Sequence, residues 1–306
     1  DLHSFPTRRS SDLVVAIKCA VTDGGGCFRE KERLVNPART EGVGAMIALL
    51  VHRLRDYGTA YPLTGIGVAT AGVVDTGTGT IACDAMNIPD YRGTRLKAIL
   101  SEAAGLPVAV ENDVNCAALG EYWLGAGQGA SSLAMLTLGA GVGGALLMDG
   151  RILRGALGFA GEIGYLPLPG GNLEALASTA ALVRRVAAAK GLPEEAVDGE
   201  MIFAWAKAGD NIARAAIENL IRALAAGIAT VCCVANPAVV IIGGGISAEG
   251  AYLRPLLLET LSAALPAELF TGTRFLFARL GNDAGLLGAL RFLRQRMETG
   301  LARGKE

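Results

Sequence analysis

The chain has 306 residues, of which 51% are apolar and 19% are charged, and its formal net charge is −1. This balance argues against nucleic acid or an anionic membrane surface as a partner, because both select basic faces. No uninterrupted apolar run reaches the roughly 18 residues that a spanning helix needs, and we find no secretion signal pattern. The six cysteines have no C-x-x-C spacing. Together these observations predict a cytoplasmic protein with reduced thiols and no membrane partner.

Residues 1–13 differ from the rest of the chain, since they are polar, basic and without periodicity. They closely resemble a translated sequencing-adapter sequence. We therefore interpret them as an artefact, with a disordered native tail as the alternative, and exclude them from the fold prediction.

The first half of the chain alternates between predicted strands and helices. Alternating residues around Asp23-Gly24 predict a hairpin of strands over 16–21 and 27–34. Helical spacing and short apolar runs then predict a helix over 42–55, a strand over 65–69, a helix over 96–104 and a strand over 106–110. This alternation favours a mixed sheet covered by helices.

The second half again opens with strands that are separated by glycines. The pattern predicts strands over 132–138, 145–148 and 151–154, a glycine segment over 139–144 and a turn at Asp149-Gly150. It continues with helices over 175–190, 201–207 and 212–234, a strand over 239–242 and a helix over 284–298. Because both halves begin with strand, glycine turn and strand, the sequence predicts two lobes of duplicated architecture.

Asn112 and Asp113 follow an apolar strand and directly precede a predicted helix. Ligands of open α/β proteins bind at this edge of the sheet. A carboxylate there can accept the proton of a bound hydroxyl, while the neighbouring amide orients that hydroxyl. The alternative is that both residues only cap the helix.

Two glycine segments are candidate phosphate-binding loops. Gly139, Gly141 and Gly143 lie between two predicted strands, where backbone N–H groups can cradle an anion. Gly243, Gly244 and Gly245 follow the strand over 239–242. The alternatives are a tight hairpin with a bulge for the first segment and a simple turn for the second.

Further polar residues are candidate ligands for hydroxyl groups. Glu162 lies among glycines, and a carboxylate in such a segment can bind two vicinal hydroxyls. Asn87 and Glu174 are polar residues with the same ambiguity. Each of the three has the alternative of a solvated or capping group.

Several segments resemble the ROK family of bacterial sugar kinases and sugar-responsive repressors. The matching segments follow the family order from about residue 16 onward and are 66–75, 110–115, 136–144, 153–165 and 236–247. The resemblance implies an α/β, two-lobed actin/hexokinase-like (ribonuclease H-like, duplicated) fold with mixed sheets. We expect an amino-terminal lobe over 14–115, a carboxy-terminal lobe over 116–288 and a last helix over 289–306 that packs on the first lobe.

The resemblance also implies roles for the candidate residues. Asp113 would be the base that accepts the proton of the sugar hydroxyl, and Asn112, Glu162 and Glu174 would hold sugar hydroxyls, with Gly72 and Asn87 nearby. The two glycine segments would face ATP, which acts with Mg²⁺. A homodimer is expected from the resemblance as well.

The chain departs from the family pattern at Tyr165, where relatives carry His, and in the following segment, which lacks the family's zinc-binding cysteines. We therefore expect no structural zinc. These differences resemble the β-glucoside kinase branch, which implies phosphorylation of the 6-hydroxyl of a glucose unit in a cellobiose-like disaccharide. A glucokinase or N-acylhexosamine kinase of the same family is the alternative.

A second departure affects the family's first phosphate loop, Asp-x-Gly-Gly-Thr. Its expected place is about residues 11–15, which read Ser11-Asp12-Leu13-Val14-Val15. Because phosphoryl transfer depends on positioning and charge stabilisation, we predict weak activity for this chain.

The alternative from another class is a sugar-responsive transcriptional regulator whose DNA-binding domain is missing from this chain.

Overall fold

The computed structural model describes residues 16–83 and 88–303, with side chains to residue 300. The predicted artefact over 1–13, the phosphate-loop position over 11–15 and the candidate ligand Asn87 lie outside the described residues.

Over its described residues, the amino-terminal half contains three separate two-stranded sheets and four helices. Its elements are β1 (Ala16–Thr22), β2 (Phe28–Val35), α1 (Ala38–Glu41), α2 (Val43–Ala60), β3 (Ile66–Thr70), β4 (Val74–Asp75), β5 (Thr80–Ile81), α3 (Leu96–Ala104), β6 (Val108–Asn112) and α4 (Asp113–Leu124). Strands β1 and β2 form the predicted antiparallel hairpin, whereas β3 and β6 pair in parallel. The short strands β4 and β5 form a further antiparallel pair.

The carboxy-terminal half is built on one five-stranded mixed sheet. Its elements are β7 (Ser132–Leu138), β8 (Val142–Met148), β9 (Arg151–Ile152), β10 (Pro167–Leu168), β11 (Gly171–Asn172), α5 (Leu173–Ala177), α6 (Thr179–Lys190), α7 (Gly199–Lys207), α8 (Asn211–Ala235), β12 (Val239–Gly244), α9 (Gly250–Ala264), α10 (Ala267–Gly272), β13 (Arg274–Phe277) and α11 (Ala284–Arg303). The strand order is β13-β12-β7-β8-β9, with β7 in the centre, parallel to β12 and antiparallel to β8. Residues 239–242 of β12 are completely buried, as expected for a strand that is covered on both faces.

Helices α4 and α11 cross at very short distance between the two halves. A Cβ atom at Gly288 would lie 1.6 Å from the carbonyl oxygen of Cys116, and one at Gly120 would lie 2.2 Å from that of Ala284. The two contacts are reciprocal, because each helix presents one glycine and one carbonyl group to the other. Cys116 and Gly120 are four residues apart on α4, and Ala284 and Gly288 are four residues apart on α11. Glycine is required at both positions because the backbones themselves are in contact.

Helix α11 also packs on the parallel pair of the amino-terminal half. Gly67 of β3 lies against the backbone of Ala289, and Gly65 lies against the side chain of Leu293. The last helix therefore covers β3, while its first turn meets α4.

The structure differs from the predicted pattern of elements in three places. The glycine segment over 139–144 is a turn of residues 139–141 only, and Gly143 and Gly144 belong to β8. The helix predicted over 175–190 is broken at Ser178, whose extended backbone and side-chain hydrogen bond to the N–H of Ala181 begin α6. Helix α9 and strand β13 lie in a stretch to which the sequence pattern assigned no element, and α9 contains Pro255.

Helix α8 is, by length and composition, the one described helix that could cross a membrane. Half of its most apolar window is buried inside the protein. Its buried face includes Ile217, Leu224 and Ile228 and belongs to the core of the carboxy-terminal half. This packing identifies α8 as a core helix.

Candidate active site

A cavity of about 1960 Å³ lies between the two halves and continues into the amino-terminal half. Most of the candidate site residues predicted from the sequence line it, namely Gly72, Asn112, Asp113, Glu162, Tyr165, Glu174, Gly139, Gly141, Gly143, Gly244 and Gly245. The fold therefore brings together residues from six separate segments of the chain. Gly243 is the exception among the described candidates.

Asn112 and Asp113 occupy the junction of β6 and α4. The side-chain oxygen of Asn112 accepts hydrogen bonds from the N–H groups of Val114 and Asn115, so that Asn112 caps α4. Its side-chain nitrogen donates to the carbonyl oxygen of Gly72 at 3.1 Å. Asn112 therefore caps the helix, and the cap fixes Asp113 as its first residue.

Asp113 is open to the cleft, although protein surrounds it on most sides. This enclosure raises the pKa of Asp113 above its ordinary value, since burial penalises the charged form. Hydrogen bonds from the N–H of Val114, from its own N–H and from the Asn112 side chain act in the opposite direction. A carboxylate with a raised pKa at the end of a parallel strand is suited to accept a proton.

Glu162 and Glu174 complete an acidic group in the cleft. Burial and the charges of Asp113 and Glu174 raise the pKa of Glu162. Glu174, at the start of α5, accepts a hydrogen bond from the N–H of Val142 at 3.0 Å. A Cβ atom at Gly141 would lie 2.3 Å from the Glu174 carboxylate. The absence of a side chain at Gly141 therefore leaves room for the Glu174 carboxylate.

The two glycine segments face the cleft differently. Positions 139 and 245 have open space where a side chain would begin, and the N–H of Gly139 closes the β7–β8 turn by donating to the carbonyl of Gly141. Gly244 has a positive φ of 83° and touches the carbonyl of Leu138. Because the space over Gly139 and Gly245 is open, a phosphate chain can come close to the backbone N–H groups of both segments.

Gly243 was predicted to face the cofactor, but it lies inside β12 and does not line the cleft. A Cβ atom there would lie 2.7 Å from the side chain of Met135. The packing of β12 on its neighbouring strand accounts for this glycine.

Tyr165 lies in a short 3₁₀ turn, residues 163–165, and is 72% exposed at the cleft. Phe159 is a half-exposed neighbour along the same wall. Phe159 could not be predicted as a site residue, since a single aromatic residue among glycines carries no signal by itself.

The ion pair of Glu111 with Arg154 was not predicted from the sequence either. Glu111 of β6 is 1% exposed, and its Oε2 lies 2.5 Å from Nη2 of Arg154, which follows β9. Its Oε1 accepts from the N–H of Asn112 and from the side chain of Asn115. The signal was an acid at the end of an otherwise apolar strand, since a buried carboxylate requires a partner.

Over residues 16–83 and 88–303 there is no group of three or more His, Cys, Asp or Glu side chains arranged to hold a metal ion. The expectation that the chain has no structural zinc remains a prediction.

Comparisons with known proteins agree with this arrangement. Residues 14–296 match the ROK family. The chain is 35% identical to a glucokinase of Halalkalibacterium halodurans, over 80% of each chain. It is 34% identical to a β-glucoside kinase of Listeria monocytogenes, over 74% of this chain and 78% of the relative.

Among solved structures, the chain resembles a ROK family glucokinase from Streptomyces griseus in complex with glucose and AMPPNP. The TM-score is 0.79 at 31% identity, over 92% of this chain and 97% of that one. The likeness confirms the predicted two-lobed, hexokinase-like fold. By sequence and by structure, the chain belongs to the ROK family.

Proposed function

We propose that this protein is an ATP-dependent sugar kinase that phosphorylates the 6-hydroxyl of a glucose unit, in a β-glucoside such as cellobiose. The observation that carries the proposal is the position of Asp113. It is the first residue of α4, it faces the cleft, and its pKa is raised. A sugar hydroxyl at this point can transfer its proton to Asp113 as it becomes a nucleophile.

The surrounding residues orient the sugar. Glu162 and Glu174 offer carboxylate oxygens to hydroxyl donors, and Asn112 has a second side-chain N–H beside the one that binds Gly72. The mutual repulsion of Asp113 and Glu162 is relieved when hydroxyl groups donate to them. The acidic group is therefore complementary to a polyol.

The open backbone at Gly139 and Gly245 fits the phosphate chain of a nucleotide, because no side chain would occupy that space. Bound ATP with Mg²⁺ would supply the phosphoryl group and neutralise its charge. Closure of the two lobes on the sugar excludes water from Asp113, which limits wasteful hydrolysis.

Tyr165 supports a β-glucoside over a free monosaccharide. It stands where relatives with a zinc cluster carry His, and its ring is open to the cleft. Aromatic faces beside a sugar site provide an apolar surface for a second ring. Glucose alone, as in a glucokinase, is the second candidate, since the H. halodurans relative carries that name.

A sugar-responsive regulator is a weaker reading of the same cleft, because a sensor has no need of a base at the reacting hydroxyl. From the family resemblance we also propose that the protein is a cytoplasmic homodimer. Light scattering after size exclusion measures the molar mass and so tests the dimer directly.

The first experiment separates sugar binding from turnover, because the expected phosphate loop falls on residues 11–15. Calorimetric titrations with cellobiose, glucose and N-acetylmannosamine measure binding to this chain. Cellobiose should bind most tightly, Glu162→Gln should weaken binding at least roughly tenfold, as expected for a lost charged hydrogen bond, and Glu200→Gln on α7 should not.

Sugar-dependent ADP release is then measured for the same chain. We expect turnover well below the usual kinase range of about 1–100 s⁻¹, and a further loss of at least roughly a hundredfold in Asp113→Asn with sugar binding retained. Activity that survives in Asp113→Asn contradicts the assigned base. Tight binding of glucose with no gain for cellobiose keeps the kinase and rejects the β-glucoside.

A further inference from the structure

Thr70 and Tyr91 form a pair of hydroxyl groups that the predicted site did not include. The Oγ1 atom of Thr70 lies 2.6 Å from the phenolic oxygen of Tyr91, so the two groups share a hydrogen bond. Thr70 is 9% exposed and Tyr91 is 1% exposed. Both residues line the cavity that contains Asp113, so this buried pair lies at the wall of the candidate site.

Strand β3 carries Thr70 to the carboxyl end of the parallel pair of strands. Thr70 is the last residue of β3, and its partner in the register is Asn112, the last residue of β6. Partners in register direct their side chains to the same face of a sheet. The side chain of Thr70 therefore lies on the same face as that of Asn112, one residue before Asp113.

The ring of Tyr91 is held by the core of the amino-terminal half. Tyr91 belongs to the same buried cluster as Ile81, Leu96 and Val110. Burial raises the pKa of Tyr91, the hydrogen bond with Thr70 lowers it, and the charge of Asp113 raises it. The phenol is thus fixed in position and lies within reach of the field of Asp113.

The two hydroxyl groups have two protons, but they share only one hydrogen bond. The second proton has no acceptor among the groups of residues 16–83 and 88–303. A buried hydroxyl proton without an acceptor is costly, because it gives up its hydrogen bond with water. The second proton is therefore most stable on the oxygen that can meet an acceptor in the cleft.

Burial decides which of the two oxygens carries that proton. Tyr91 is enclosed in the core, whereas Thr70 stands at the end of a strand where the cleft begins. In this arrangement Tyr91 donates to Oγ1 of Thr70, and the hydroxyl group of Thr70 donates into the cleft. A hydroxyl group that accepts one hydrogen bond becomes a stronger donor of the next, since bonds in a chain polarise one another.

A sugar held by the acidic group of the cleft requires such a donor. Asp113, Glu162 and Glu174 are acceptors when they are ionised, so they bind the protons of sugar hydroxyl groups. The oxygen of each hydroxyl group also accepts hydrogen bonds. Asn112 can supply only one N–H to these oxygens, since its other N–H binds the carbonyl oxygen of Gly72.

We infer that Thr70 is a further substrate-binding residue, whose hydroxyl group donates to a hydroxyl oxygen of the bound glucose unit, and that Tyr91 orients this donor. The inference rests on the proposed function, because its acceptor is the sugar that binds beside Asp113. Thr70 touches the sugar, and Tyr91 is a positioning residue that acts through Thr70. Because the contact is made with the glucose unit itself, glucose and cellobiose depend on it equally.

Calorimetric titrations with glucose and cellobiose test the contact without turnover. Thr70→Val keeps the shape of the side chain and should weaken the binding of both sugars about fivefold to tenfold, as expected for one neutral hydrogen bond. Thr70→Ser keeps the hydroxyl group and should bind both sugars within about twofold of the parent chain. The matched control is Thr260→Val on α9, outside the cleft, which should leave binding unchanged.

A double-mutant cycle tests the role of Tyr91. Tyr91→Phe should weaken binding about twofold to fivefold in the parent chain and have no effect in Thr70→Val, because the two residues act through one hydroxyl group. Equal effects in both backgrounds mean that Tyr91 does not act through Thr70. The double variant leaves no buried donor unpaired, so it replaces Thr70→Val in the titrations if the single variant does not fold.

The outcomes separate this inference from the proposed function. If both sugars bind to Thr70→Val as tightly as to the parent chain, Thr70 does not touch the sugar and the inference is wrong, whereas the proposed function stands. If Thr70→Ser loses as much affinity as Thr70→Val, or if only cellobiose loses affinity, the inference is wrong as well. If neither sugar binds to the parent chain, the proposed function fails and the inference fails with it.

Discussion

Arg154 and Glu111 connect the two halves of the protein directly behind Asp113. Their ion pair, at 2.5 Å, joins the end of β6 to the segment that follows β9. The other oxygen of Glu111 holds the N–H of Asn112, and the carbonyl oxygen of Arg154 accepts the N–H of Ala160, two residues before Glu162. One contact thus fixes the position of both Asp113, the proposed base, and Glu162, a candidate sugar ligand.

We predict that Arg154→Met destabilises the protein by about 3 kcal/mol, the lower end for a broken buried ion pair, because it leaves the Glu111 carboxylate buried without its cation. Urea unfolding measures the change. The double variant Glu111→Gln with Arg154→Met should recover part of the loss, since no unpaired charge remains. Arg151→Met, on the exposed side of β9, is the control and should change stability by less than about 0.5 kcal/mol.

The electrostatic coupling of Asp113 and Glu162 is a second prediction. The charge of Asp113 raises the pKa of Glu162, so Asp113→Asn should lower that pKa toward its ordinary value. Carbon-13 NMR of labelled carboxyl groups follows the titration of Glu162 in both proteins. An unchanged titration of Glu162 in Asp113→Asn means that the two carboxylates do not interact.

Removal of the Glu162 charge should stabilise the protein at neutral pH. A carboxyl group whose pKa is raised by folding binds more protons in the folded state than in the unfolded state, so its contribution to stability falls as pH rises through that window. Glu162→Gln should therefore have a higher melting temperature than the parent at pH 7. The difference should vanish near pH 4, below the ordinary value of 4.5, where both states are protonated. A difference that is the same at both pH values rejects the electrostatic origin.

The crossing of α4 and α11 gives a stability prediction with a control on the same helix. Gly288→Ala places a methyl group 1.6 Å from the carbonyl of Cys116, so the helices must separate at a cost of about 1–3 kcal/mol or more. Gly285→Ala meets nothing within 4 Å and should stabilise α11 by up to about 1 kcal/mol. Thermal unfolding of both variants decides, and equal effects in the two would contradict the contact.

Much of this arrangement could be predicted from the sequence because local patterns carried it. Helix α3 was predicted with its observed bounds, and the glycines at 139 and 245 do face open space. The break of α5 from α6 was not predicted, since Ser178 is tolerated within a helix and only its cap to Ala181 reveals the boundary. The packing of Gly243 against Met135 was not predicted, because a glycine required by packing looks the same in sequence as one that faces a ligand.

The ion-pair partner of Glu111 could not be predicted for a different reason. Helix α4 and strands β7, β8 and β9 lie between Glu111 and Arg154 in the sequence, and nothing in either local pattern couples the two residues. Long-range pairs of this kind are decided by the tertiary fold alone. The roles of Asn112, Asp113, Glu162, Tyr165 and Glu174 in catalysis and sugar binding remain predictions for the experiments above.

The close contacts of Gly120 and Gly288 restrict how helices α4 and α11 can slide past each other. Each helix rests in a gap one glycine wide, with side chains above and below, so sliding along either axis would drive a Cβ atom into a carbonyl group. Asp113 is the first residue of α4, so this close crossing also holds the helix that begins at Asp113 against α11.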